Sequence, residues 1–122
     1  MTYGPTEAFC EFTFAAGHQL PHVPEGHPCG RVHGHTWQVR VTVSGPVDPH
    51  SGFVLDFADI YQAWAPLHEA LDHRFLNDVR GLENPTTELL AQWLWERLRP
   101  ALPLLAAIEV RESGSSGVLF RG

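Results

Sequence analysis

His33-Gly34-His35 sets two imidazoles one residue apart, in a stretch that alternates apolar and polar residues as far as Ser44. A strand repeats its side-chain direction every second residue, so both rings point to one face. His18 closes an earlier alternating run, and a hairpin between the runs brings a third imidazole to the same end of the sheet. Three neutral nitrogen ligands with an open fourth position are the donor set of catalytic zinc, whereas a structural site closes that position with protein. His18, His33 and His35 are therefore the expected metal ligands, and Zn2+ the expected cofactor. Gly34 between two ligands allows close approach to the backbone. His22, His27, His50 and His68 lack this spacing and are expected in surface and loop hydrogen bonds.

Cys29, four residues before His33, has two readings. It either closes the site as a fourth ligand, or stays off the metal as a thiolate base or nucleophile favoured by the nearby cation and imidazoles. Cys10 lies on the apolar face of its run and reads as a buried thiol. Asp72-His73 follows an apolar-periodic segment; an Asp beside a His orients the ring and stabilises its cation, which suits acid–base work. Glu112 continues the apolar face of Ala106, Ile108 and Val110, which is costly for a carboxylate without a partner. It either binds paired N–H groups of a heterocycle or ends its strand in water.

The elements follow from periodicity. Residues 7–16 put Ala8, Cys10, Phe12 and Phe14 on one face, with Phe9 the one apolar residue opposite. A Gly- and Pro-rich loop over 17–30 leads to the second strand, Arg31–Ser44, with Val39, Val41 and Val43 inward. Asp56 caps a helix carrying Phe57, Ile60, Tyr61, Trp64, Leu67 and Leu71 at helical spacing, which Pro66 is expected to kink or split. A second helix, capped by Asn84 or Thr86, runs to Pro100; strands Ala106–Glu112 and Val118–Arg121 close the pattern. The order ββααββ is α+β: an antiparallel sheet with a helix pair on one face.

The 122 residues suit a single domain over 1–122, with a globular composition. A net charge of −6 argues against a nucleic-acid partner, and no apolar run is long enough for a membrane span. The opening residues lack a basic region followed by an apolar stretch, so a cytoplasmic location with free thiols is expected. Every basic side chain other than His is Arg, a good bidentate partner for phosphate.

Phe14-Ala15-Ala16-Gly17-His18, the loop from Leu20 to His27, and Cys29-Gly30-Arg31-Val32-His33-Gly34-His35 resemble the 6-pyruvoyl tetrahydropterin synthase family. The resemblance continues in order through Val47–Gly52, Leu71-Asp72-His73-Arg74-Phe75-Leu76-Asn77, Asn84-Pro85-Thr86-Thr87-Glu88, Glu112 and the terminal Phe120-Arg121-Gly122. The three residues between Cys29 and His33 resemble the family's carboxy-forming branch. The resemblance implies a tunnelling fold whose subunits join sheets into a barrel, as trimers stacking into hexamers. It implies zinc on His18, His33 and His35, an acid–base set of Cys29, Asp72 and His73, and a pterin anchored by Glu112 with Thr86 or Thr87 nearby. The Asp-His pair would come from a neighbouring subunit. The implied reaction is a lyase step of queuosine biosynthesis, turning 7,8-dihydroneopterin triphosphate into 6-carboxy-5,6,7,8-tetrahydropterin, acetaldehyde and triphosphate. Arg31, Arg74 and Arg121 are the candidates to face the triphosphate. The rivals are a pyruvoyl-forming or side-chain-trimming relative and, outside enzymes, a zinc-stabilised pterin-binding module.

Overall fold

In the computed structural model, which describes residues 3–122, the two alternating runs become the longest strands, β1 (Thr6–His18) and β2 (His33–Gly45). They pair antiparallel throughout, from Thr6 opposite Gly45 to His18 opposite His33. The expected ββααββ order is present with one addition. After α1 (Phe57–Leu71), the short strand β3 (Arg74–Phe75) pairs parallel with Ala16 and Gly17 of β1. α2 (Thr87–Leu98), β4 (Leu105–Arg111) and β5 (Gly117–Phe120) follow, and the sheet order is β3-β1-β2-β4-β5.

The period of two decides which face is buried. Cys10, Phe14 and Ala16 of β1, Trp37, Val39, Val41 and Val43 of β2, and Ile108 and Val110 of β4 form one side of the core. Ile60, Trp64, Leu67 and Leu71 of α1 and Leu90, Ala91, Trp93, Leu94 and Leu98 of α2 form the other. The outward Phe9 is half exposed, with the Arg40 guanidinium 4.4 Å from its ring centroid, so the apolar exception lies under a cation.

Asp56 caps α1 through the Ala58 N–H (2.9 Å), as its position suggests. The expected split at Pro66 does not occur: α1 runs unbroken through it. Pro66 deprives the Gln62 carbonyl of its donor, but both residues are exposed, so that carbonyl is open to solvent. Among the described residues no helix is long and apolar enough to cross a membrane.

Leu94 is fully buried between α2 and the sheet, remote in sequence from every histidine. Leu94→Ala is expected to lower stability by about 2–5 kcal/mol in urea unfolding. It should leave metal uptake per folded chain unchanged.

Candidate metal centre

The β1–β2 register sets the geometry. His18 lies opposite His33, and Ala16 lies opposite His35, so the three rings occupy adjacent places on the core-facing side. One nitrogen from each ring lies within 4.8 Å of the others. His18 is buried, and the edge-on Trp37 ring supports both His18 (centroids 5.0 Å) and His35 (5.1 Å).

Backbone carbonyls set the tautomers. His18 Nδ1 lies 2.8 Å from the Pro85 carbonyl oxygen, and His33 Nδ1 lies 2.7 Å from that of Arg31. A carbonyl only accepts, so each Nδ1 carries the proton and each Nε2 presents its lone pair. Nε2 of His18 and Nε2 of His35 are buried and have no hydrogen-bond partner. Two buried ring nitrogens without partners, converging with a third, are costly unless a ligand binds them. The donor set therefore fits a divalent metal ion, and three imidazoles suit zinc.

Glu112 lies just past β4, half-buried beside this cluster. Its Oε2 is 3.7 Å from His35 Nε2, beyond hydrogen-bond length, and accepts from the Thr87 hydroxyl at 3.2 Å. Of the two adjacent threonines, Thr86 instead caps α2, its Oγ1 accepting from the Leu89 N–H at 3.1 Å.

Cys29 sits on a short 3-10 turn, Pro28–Gly30, that His27 caps by accepting the Cys29 N–H at 3.0 Å. Among the described residues, the cluster of converging donors contains His18, His33 and His35 and does not include the Cys29 sulfur. Cys10 and Cys29 are not joined, and burial pushes the Cys10 thiol up from its ordinary value.

The Asp72-His73 pair lies at the opposite edge of β1. Asp72 Oδ1 accepts the Ala15 N–H (3.0 Å) and Oδ2 meets His73 Nδ1 at 2.8 Å; these two contacts hold the carboxyl below its usual range. His73 has a left-handed backbone (φ 57°) and a largely exposed ring. With Arg74 it borders an open depression that Ala15, Ala16, Gly17, Gly34, His35 and Thr36 also line; Ala15 and Thr36 point to the sheet face opposite the three imidazoles. His68 adds a looser contact to Asp72 Oδ2 (3.5 Å).

Two contributors were not apparent from residue types. Pro85 acts through its carbonyl, and Trp37 reads as one more apolar position; the register alone would have placed Trp37 next to His35.

Burial, foremost, and the neighbouring imidazoles push His18 below its ordinary value, against an opposing pull from the Pro85 carbonyl. Without metal the unfolded chain takes up this proton first, near the ordinary value of about 6.5, so folding stability falls as pH drops below it. Urea unfolding of metal-free protein between about pH 5 and 8 should show this acid slope, and His18→Leu should flatten it.

The profile for 6-pyruvoyl tetrahydropterin synthase matches residues 7–122. The chain is 40% identical over 116 residues to the 6-carboxy-5,6,7,8-tetrahydropterin synthase of Synechocystis, covering 90% of this chain and 88% of that one. It is 40% identical over 72 residues to the dihydroneopterin monophosphate aldolase of Pyrococcus furiosus, 59% of this chain and 60% of that one. The fold superposes on the Caenorhabditis elegans 6-pyruvoyl tetrahydropterin synthase with a TM-score of 0.89, at 22% identity and over 100% and 99% of the two chains. The fold is the tunnelling fold, and the chain belongs to the 6-pyruvoyl tetrahydropterin synthase family.

Proposed function

We propose that the protein is a cytoplasmic zinc-dependent lyase of queuosine biosynthesis. With one water consumed, it converts 7,8-dihydroneopterin triphosphate into 6-carboxy-5,6,7,8-tetrahydropterin, acetaldehyde and triphosphate. The observation that carries this reading is the pair of buried, unpartnered Nε2 atoms of His18 and His35, converging with His33 beside the Glu112 carboxylate. The near-full-length likeness to the Synechocystis synthase supports the choice of product.

His18, His33 and His35 hold the zinc, which when bound supplies a Lewis acid for the oxygens of the substrate side chain. Glu112 accepts two N–H groups of the pterin edge, and Thr87, already bonded to it, fixes its rotamer. Cys29 as thiolate takes a proton from a side-chain carbon. His73, its ring oriented by Asp72, moves protons on the other side. His73 and Asp72 serve the metal centre of a neighbouring copy, within trimers stacked as hexamers that join sheet edges into a barrel. The open edges of β1 before Ala16 and of β5 suit such pairing. Arg31, Arg74 and Arg121 lie around the triphosphate.

The partial likeness to the Pyrococcus aldolase favours a second reading, a side-chain-trimming aldolase on the same site. Incubating metal-assayed protein with dihydroneopterin triphosphate separates the two: acetaldehyde together with the carboxy product marks the first, and a shortened side chain without acetaldehyde marks the second.

Cys29→Ala is expected to keep one zinc per chain and to lose turnover by about a hundredfold or more; zinc loss would make Cys29 a ligand instead. His33→Ala and His35→Ala should lose both metal and activity, and full activity in either would remove the metal assignment. The threonines should separate. Thr86→Ala should cost about 1 kcal/mol of stability through the lost cap. Thr87→Val should leave stability near wild type and raise KM, as measured by steady-state kinetics.

A further inference from the structure

β3 covers β1 at Ala16 and Gly17 only, and then the chain turns away through a 3-10 segment, Leu76–Asp78. One residue beyond His18, the backbone of Gln19 would lack ladder partners on that side. The Asn77 side chain fills the place. Its Oδ1 accepts the Gln19 N–H at 2.9 Å, and its Nδ2 donates to the Gln19 carbonyl at 2.7 Å. The donor and acceptor of Gln19 settle which end of the amide is which. One half-buried side chain thus supplies a complete rung.

The Gln19 side chain then reaches across the loop, its Nε2 donating to the Gly30 carbonyl at 2.8 Å, while Leu20 N–H donates to the Cys29 carbonyl at 2.9 Å. The loop over 20–32 has no buried residue, and Pro21, His22 and residues 24–28 are exposed, so apolar packing does little to order the Cys29 turn. Hydrogen bonds must do it. The contacts run from Asn77, in the same short segment that begins with Asp72 and His73, to Gln19, whose side chain reaches the Gly30 carbonyl, and on to the next residue, Leu20, whose N–H reaches the Cys29 carbonyl.

We infer that Asn77 and Gln19 are positioning residues for Cys29: the Asn77 amide fixes the Gln19 backbone, and Gln19 sets where the turn carries the sulfur. This rests on the reading of Cys29 as the proton-abstracting group. The clamp gives that group an orientation independent of metal binding, because neither amide touches an imidazole nitrogen.

The test uses the full-length, metal-loaded protein with Gln19→Leu, which removes the donor to Gly30, and Asn77→Asp, which keeps the acceptor for the Gln19 N–H and removes the donor to its carbonyl. Zinc per chain, kcat and KM, and hydrogen exchange at the Leu20 amide are measured together. Both variants should keep the wild-type zinc content and a KM within about twofold, while kcat falls about ten- to a hundredfold and the Leu20 amide exchanges faster. Unchanged exchange at Leu20 would overturn the clamp. Faster exchange with wild-type kcat would overturn its positioning role. Wild-type turnover in Cys29→Ala would instead overturn the reading of Cys29, and the exchange measurement would still decide whether the clamp exists.

Discussion

The register of β1 against β2 is the constraint on which the rest depends. A shift of one residue would send His18 to the outer face or both His33 and His35 to it, because side-chain direction has a period of two. Nothing in the imidazoles themselves prevents such a slip. The apolar pairs farther along the same ladder do: Cys10 with Val41, Phe12 with Val39 and Phe14 with Trp37 must stay on the core side. The three imidazoles are therefore placed by the hydrophobic effect acting on residues outside their cluster. Each inward apolar side chain contributes about 1.5–3 kcal/mol to holding the register. The site occupies the last rungs of a core layer, where Phe14 and Trp37 give way to His18, His33 and His35.

Placing polar rings in a core layer leaves backbone groups to satisfy them. The Pro85 and Arg31 carbonyls take the Nδ1 protons of His18 and His33, at the start of the α2 region and at the entry to β2. These bonds orient the rings and also keep the Nε2 lone pairs inward. Burial keeps His18 neutral further into acid than a solvated imidazole, which maintains its capacity to bind a cation. The fold thus bears the cost of burying unpartnered ring nitrogens in the last rungs of its core layer.

The parts of this legible in the sequence are those governed by periodicity and caps. His33-Gly34-His35 announced a shared face, Asp56 announced one helix start and the Asn84–Thr86 stretch another, and Glu112 stood out because it continued Ile108 and Val110. What stayed hidden depends on contacts between distant segments or on backbone atoms. β3 is two residues long, too short for any alternation to register. Pro66 reads as a breaker because sequence does not say that the orphaned Gln62 carbonyl faces water. Thr86 and Thr87 are equivalent as residue types, and only the start of α2 separates a cap from a partner of Glu112. Asn77 and Gln19 are ordinary polar residues until their amides are seen to replace a missing strand.

The Asp72-His73 pair shows how far a single chain takes the chemistry. Its geometry is built with care: the Ala15 N–H pins one carboxylate oxygen, the other meets Nδ1, and a left-handed backbone at His73 holds the ring outward. A strained φ at a non-glycine residue persists only where surrounding contacts over-determine it, and here the His73 N–H bonded to the Ala15 carbonyl at 2.6 Å helps to do so. Yet the ring faces solvent and an open depression lined mostly by small residues, with Arg74 and His35 at its margins. In the proposed assembly, a pair oriented this firmly toward open space is half of a site whose other half arrives on a second copy. In the proposed barrel, Ala15, Gly17, Gly34 and Thr36 then have a reason to be small: the depression they floor is left free for the group that the exposed imidazole addresses.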